Sequence, residues 1–410
     1  MLKSFRKTFV PAILAGAAAL TPTSAQAVRF NLIDTGGTGQ FTQARIGFEA
    51  AAFYWSSVFT DDVTVNLRIG FEQLAPNVLG SAQSTTSINF TSQVYGALLN
   101  DITSTGDISG VSNLNPLRPS LNFGEVSNLV MTTNALNATG TGYLDTATRV
   151  DNNDSGNNNA LGVNTSVDKA LGITTDLFGN AIDPNAADGT IRFSNQFAFD
   201  FDPRDGITAG SFDFVGVAIH EIGHVLGFRS GVDTYDAFTA PGSANTRTGA
   251  LENIALGTVF DLYRYSAEGR LDWSTQNTPF FSITGGASQV FGNSLLSTGV
   301  RNGDGRQASH HKDAAAGQPQ LGVLDPTSGR GQEQEVTALD LVAFDVIGWD
   351  VNFDPLQNPN YRRGSGDIFR EFRIAAGIPE PATWGMMILG VGMVGGAMRQ
   401  RRRAKVSFAA

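Results

Sequence analysis

The sequence predicts an α+β protein whose chemistry lies between two lobes. Three observations lead there. A helix-length apolar segment occupies 41–58, strand-length runs occupy 63–71 and 191–201, and two later helices begin near 213 and 337, the first with closely spaced histidines.

The elements follow in chain order. Lys3, Arg6 and Lys7 precede an apolar run from Phe9 to Leu20, and Ala25-Gln26-Ala27 offers small residues for cleavage, so residues 1–27 are predicted as a secretory signal peptide that signal peptidase removes. Between Phe41 and Val58, Ala44, Phe48, Ala51, Ala52 and Trp55 spread around much of a helical circumference, the pattern of a largely buried helix. Val63, Val65, Leu67, Ile69 and Phe71 alternate with polar residues or glycine, which predicts a half-buried strand. Much of 101–190 is rich in Asn, Thr, Ser and Gly and reads as surface loop. The densest stretch, Asp151–Asn159, lacks the spaced acidic ligands and terminal Glu of a calcium loop. A second strand, Ile191–Phe201, leads through Asp202-Pro203-Arg204-Asp205-Gly206 into a helix from near Asp213. Thr337-Ala338-Leu339-Asp340 fits a capping box, and Val336, Leu339, Val342, Ala343 and Val346 continue at helical spacing up to Gly348. The absence of a 20–50 residue repeat argues against a solenoid or propeller.

Charge and cysteine usage narrow the function classes. Of 28 Lys plus Arg and 38 Asp plus Glu, the two ends hold eight basic groups and one acidic group, so residues 28–378 carry 20 against 37, a net charge of −17. An acidic body of this size repels nucleic acid, which removes it as a partner. The chain has no cysteine, so any metal must be held by His, Asp or Glu.

His220-Glu221-Ile222-Gly223-His224 concentrates the chemistry. Two histidines four apart on a helix lie about 40° from each other, so both imidazoles can meet one ion while Glu221 reaches a water on it. Val215, Ala218, Ile219, Ile222, Val225 and Leu226 share the opposite arc, and Gly216, Gly223 and Gly227 flank the histidines. Each glycine inside a helix costs about 0.8 to 1 kcal/mol relative to alanine, so three of them predict a local need for room around the histidines. Two of the chain's four histidines stand on this helix.

The string from His220 through Gly227 resembles the zinc-binding signature of the metzincin proteases, in which a third histidine would follow three residues after the glycine. Ser230 stands there instead. The other two histidines lie in Ala308-Ser309-His310-His311-Lys312-Asp313, which resembles the segment that supplies the third ligand in the leishmanolysin-like branch after a long insertion. Gly322-Val323-Leu324-Asp325-Pro326 resembles that family's turn beneath the metal, with Leu324 at the methionine position, and Thr337–Trp349 resembles its closing helix. The resemblance implies a zincin fold of metzincin type, with Zn2+ held by His220, His224 and His310 and with Glu221 as general base. Two alternatives for the third ligand stay open: His311, adjacent to His310, and Asp233, nine residues after His224.

At the far end, Pro379-Glu380-Pro381 leads into an uncharged stretch, Ala382–Met398, and then Arg399, Arg401, Arg402, Arg403 and Lys405. This arrangement closely resembles the PEP-CTERM sorting signal of Gram-negative bacteria. It implies transient membrane insertion of the tail, an exosortase-type sorting enzyme as partner, and delivery to the cell surface or extracellular matrix. The expected organisation is a signal peptide at 1–27, a lobe with the zinc helix at 28–232, and a lobe with the third ligand and closing helix at 233–352. A linker at 353–378 and the sorting tail at 379–410 complete it. The expected function is a secreted zinc endopeptidase acting on protein or peptide substrates. The rival is a non-catalytic surface or matrix binding protein on a degenerate zincin fold, against which the intact Glu221 argues.

Overall fold

A computed structural model describes residues 27–239, 250–254, 256–315 and 318–377. The predicted signal peptide up to Gln26 and the tail from Ile378 lie outside the described residues. The protein is a mixed α+β structure, as the sequence predicts.

Its principal sheet has four strands. Arg29–Gly36, Thr64–Glu72 and Gly189–Ser194 run parallel in that spatial order, and Gly80–Ser84 pairs antiparallel with the last of them at the edge. The strand from Thr64 is flanked on both sides, so its burial exceeds the predicted alternation: Asn66 and Gly70 are buried along with Val65, Leu67 and Ile69, while Arg68 remains exposed. The helix Gln43–Val58 forms where expected, with the Thr42 hydroxyl accepting from the Arg45 N–H at its start. It packs along the helix Phe214–Val225, which carries the histidine motif. The Trp55 indole donates to the Ile219 carbonyl at 3.2 Å, and Phe48 meets Phe214 edge-to-face at 5.3 Å. The closing helix Ala338–Val346 starts on the predicted capping box of Thr337 and Asp340 and is buried along its whole length. Trp55 meets its Phe344 edge-on at 4.8 Å, so the first helix packs aromatic residues against both the motif helix and the closing helix.

Two expectations are corrected. The polar region 101–190 is not loop throughout: it contains the helix Thr105–Ser112 and the hairpin Met131–Leu136 with Tyr143–Asp151. Asp151, Asn157, Asn158 and Asn159 are buried, because their side chains hydrogen-bond internal groups: Asn158 Nδ2 donates to the Leu129 carbonyl at 2.9 Å and Asn159 Nδ2 to the Ser155 carbonyl at 2.8 Å. The segment 353–378, expected as a linker, folds up to Gly377. Arg362–Gly364 pairs antiparallel with Glu335–Thr337, and the helix Ser365–Ala375 buries Ile368, Phe369 and Phe372 against the first helix, with Phe53 and Phe372 rings 5.9 Å apart. One apolar cluster therefore runs from Val28 to Phe372 and includes residues on both sides of position 232.

Candidate metal centre

The motif helix is capped at both ends. Asp213 accepts from the Gly216 N–H at 2.9 Å at the N-terminus. At the C-terminus, Ser84 Oγ and Asn164 Nδ2 donate to the His224 carbonyl, at 3.2 and 3.0 Å, and the Trp349 indole donates to the Leu226 carbonyl at 2.7 Å. Gly227 ends the helix in the left-handed region at φ 113°, where an L side chain would be strained.

The three glycines serve helix packing, which corrects the expectation that they clear the histidine face. A Cβ at Gly223 would lie 3.3 Å from both Leu324 and Phe344, and one at Gly216 would fall 2.4 Å from Gln334 Cβ. At Gly227 it would fall 2.6 Å from Val167. Gly223 lets the closing helix and the turn at Leu324 approach the motif helix, Gly216 makes room for Gln334, and Gly227 makes room for Val167 and Ile347. Leu324 is fully buried there, filling the position where the resemblance has methionine.

His220, His224 and His310 come together. Their Nε2 atoms are 3.0 Å apart for His220 and His224, 3.2 Å for His224 and His310, and 3.2 Å for His310 and His220. Each Nδ1 faces a backbone carbonyl: Val323 at 2.7 Å from His220, Phe228 at 2.8 Å from His224, and Gln307 at 3.2 Å from His310. A carbonyl only accepts, so each Nδ1 carries the proton and each Nε2 turns a lone pair toward the other two. Burial favours this neutral form. It pushes His224 down to about 3, with the neighbouring His220 adding to the effect, and it holds His220 and His310 below the ordinary imidazole value as well. Among the described residues, no other group of His, Cys, Asp or Glu brings three ligand atoms within 4.8 Å of one another.

The two alternative third ligands point elsewhere. Asp233 accepts from the Ala308 N–H at 2.7 Å, the Ser309 N–H at 3.1 Å and the Ser309 hydroxyl. His311 is fully buried, its Nε2 3.1 Å from Asp340 Oδ1 and its ring edge-on to Phe228 at 4.9 Å. Ser230, where the metzincin pattern has histidine, donates its N–H to Ser309 Oγ at 2.9 Å and so touches the residue before His310. Tyr235 is buried and accepts from Asn157 Nδ2 at 2.7 Å.

Glu221 is buried between the motif helix and the edge strand, and burial pushes its carboxyl up to about 8, opposed by a hydrogen bond from the Ala82 backbone. Sequence reasoning missed Gly80: a Cβ there would lie 2.6 Å from Glu221 Oε1, so only glycine lets the edge strand pass this close. It missed the second use of Asp340 too, which takes the N–H groups of Val323 and Leu324 at 3.0 and 3.3 Å besides capping its own helix. No local signal marks either one, because each contact joins segments far apart in the chain.

The donor set fits zinc. Ligands 2.0–2.1 Å from a tetrahedral zinc stand roughly 3.3 Å from one another, close to the spacing of the three Nε2 atoms, and imidazole nitrogens are ordinary zinc ligands. Three converging lone pairs repel each other until a cation lies between them.

Residues 377–403 match the PEP-CTERM protein-sorting motif. The motif marks an exported protein of a Gram-negative bacterium that an exosortase-type enzyme sorts to the cell surface. Among the described residues no helix is long and apolar enough to cross a membrane, and the uncharged stretch of the tail lies outside them. No curated protein and no solved structure matches the chain.

Proposed function

We propose that the protein is a secreted zinc-dependent endopeptidase on a metzincin-like zincin fold. The observation that carries this reading is the convergence of three Nε2 lone pairs, each fixed by an Nδ1 bond to a backbone carbonyl, on a helix where Glu221 directly follows the first ligand. His220, His224 and His310 would hold the ion. Bound zinc supplies a Lewis acid that polarises a peptide carbonyl and acidifies water. Glu221 takes a proton from the attacking water and returns it to the leaving amine.

The edge strand argues for a peptide as substrate. Gly80–Ser84 pairs on one side only among the described residues and lies along the motif helix, with Gly80 against Glu221 and Ser84 bonded to the His224 carbonyl. An extended chain added to that edge by main-chain hydrogen bonds would lie beside the metal. The sorting motif suits a second reading equally well, a non-catalytic surface or extracellular-matrix binding protein on a degenerate zincin fold.

One experiment separates the readings: metal analysis of the mature protein combined with a protein cleavage assay, on wild type and Glu221→Gln. We expect stoichiometric zinc in both and a loss of at least about a hundredfold in hydrolysis for the variant. Zinc in the wild type without cleavage would select the binding-protein reading, and loss of zinc in Glu221→Gln would make Glu221 a ligand.

A further inference from the structure

His310 reaches the motif helix from 86 residues beyond His224, on a segment without regular secondary structure. A ligand in such a segment must be held from outside, because neither a helix nor a strand fixes its direction. Both neighbours of His310 are held by a buried or half-buried carboxylate. On one side Asp233, one turn past the motif helix, takes all three donors that Ala308 and Ser309 offer, and the same Ser309 hydroxyl accepts from the Ser230 N–H. On the other side His311 Nε2 meets Asp340, and the Ser297 hydroxyl donates to the His311 carbonyl at 2.9 Å.

Asp340 reaches a second ligand as well. Its carboxylate takes the N–H of Val323, and the carbonyl of that residue orients His220. A Cβ at Gly322 would fall 2.3 Å from the same carboxylate, so the turn is pressed directly onto it. The His311 ring also carries a mark of its purpose. Its Nδ1 is buried without a partner, an unfavourable placement that an apolar side chain of similar size would avoid, so the imidazole contributes through its Nε2 bond alone.

We propose that Asp233 and Asp340 are positioning residues that together set the direction of His310, the first through Ser309 and the second through His311, with Asp340 also fixing His220 through Val323. The proposal rests on the reading of the triad as a metal site. Neither carboxylate belongs to the cluster of ligand nitrogens: they act through the segments they hold, as outer-shell partners of metal ligands do.

The test uses the mature protein loaded with Co2+ as a spectroscopic probe. Its visible d–d absorption and its affinity, measured by competition with a chelator, are compared between wild type, Asp233→Asn, His311→Leu and His311→Gln. Leucine fills the space beside Phe228 without a donor, whereas the glutamine amide can still donate to Asp340. Asp233→Asn and His311→Leu should bind cobalt about 10- to 100-fold more weakly, with altered d–d bands, while His311→Gln stays within about threefold of wild type. The metal-free variants should show wild-type circular dichroism, which separates misdirection of a ligand from loss of the fold. Wild-type affinity and spectrum in both Asp233→Asn and His311→Leu would overturn the proposal. So would equal losses in His311→Leu and His311→Gln, because the bond to Asp340 would then be irrelevant. A wild type that binds no cobalt would remove the metal-site reading itself, a failure visible before any variant is made.

Discussion

Two regions of this molecule crowd groups of one kind together, and they resolve the crowding in opposite ways. One is the triad of His220, His224 and His310. The other is a set of six aspartates, Asp61, Asp101, Asp107, Asp345, Asp350 and Asp354, around the start of the helix Thr105–Ser112, none of which makes an ion pair among the described residues. In the triad every Nδ1 is consumed by a carbonyl, so the three remaining lone pairs converge. In the aspartate set, donors from the chain itself occupy oxygens of Asp345, Asp354, Asp107 and Asp61 separately, while Asp345 Oδ1 stays buried without a partner. Ser104 Oγ donates to Asp345 at 2.6 Å, Thr105 Oγ1 to Asp354 at 2.7 Å, the Ser104 N–H to Asp107 at 3.0 Å, and the Asp350 N–H to Asp61 at 3.0 Å.

The proton equilibria diverge accordingly. Burial lowers the histidines, and burial together with neighbouring carboxylates raises Asp61 to about 7 and Asp101 and Asp345 to about 8. The triad stays neutral and keeps its nitrogens available to a cation, whereas burial, with neighbouring carboxylates second, favours the protonated forms of Asp61, Asp101 and Asp345. What distinguishes a metal site from a cluster of capping residues is the direction in which spare lone pairs point, not the number of ligand-type residues.

The largest expected effect breaks the triad. His310→Ala should lower zinc affinity by several orders of magnitude and abolish hydrolysis, because catalytic zinc generally needs three protein ligands. Asp233→Ala and His311→Ala should cost less, since both act on the segment and not on the ion. Isothermal titration with zinc, beside a peptide cleavage assay, measures both quantities. Retention of zinc and activity in His310→Ala with their loss in Asp233→Ala would move the third ligand to Asp233.

Removal of the metal comes next. Zinc at a hundred times its dissociation constant should stabilise the fold by about 2.7 kcal/mol, so a chelator should lower the melting temperature of wild type and leave His310→Ala unmoved. The metal-free protein should also respond to acid. The triad's folded values lie below those of unfolded histidine, so its contribution is present above about pH 6.5 and is lost as pH falls toward about 3, where His224 titrates. Denaturant titrations from pH 7 to pH 4 with and without zinc test this. A melting temperature that ignores both chelator and zinc would place the metal elsewhere or nowhere.

How much of this could be read in the sequence depends on whether the signal was local. The helices Gln43–Val58 and Ala338–Val346 were legible because their apolar residues recur within a few positions, and the capping box of Thr337 and Asp340 also marks the start of the second. His220, Glu221 and His224 were legible for the same reason. His310 was reachable only through resemblance, since its approach to the motif helix depends on Asp233 and on tertiary contacts that leave no spacing rule in the chain. The polar stretches misled in both places. In Asp151–Asn159, side-chain amides satisfy internal groups and make a buried turn, and in Ser365–Ala375 the charged residues hide Ile368, Phe369 and Phe372, which form an apolar stripe on one helical face.

The smallest expected effect sharpens the comparison from the side of the carboxylates. Asp101 is raised to about 8 by burial first and then by Asp350, Asp61, Asp107 and Asp345. A folded value above the unfolded one, near 3.8, means that the proton stabilises the fold at low pH. That contribution is lost as pH rises through the unfolded value toward 8. Asp101→Asn removes the charge and preserves the shape, so it should stabilise the protein at pH 8 and change little below pH 4. Partial exposure and solvent screening hold the expected gain to about 1 kcal/mol. Denaturant midpoints for wild type and variant across that range test the sign as well as the size. An equal gain at both ends would show that charge crowding is not the cause. A larger consequence would follow if calcium raised the wild-type midpoint and not that of Asp101→Asn: the aspartates would then hold a cation together, and the contrast with the converging lone pairs of the triad would fail at this cluster.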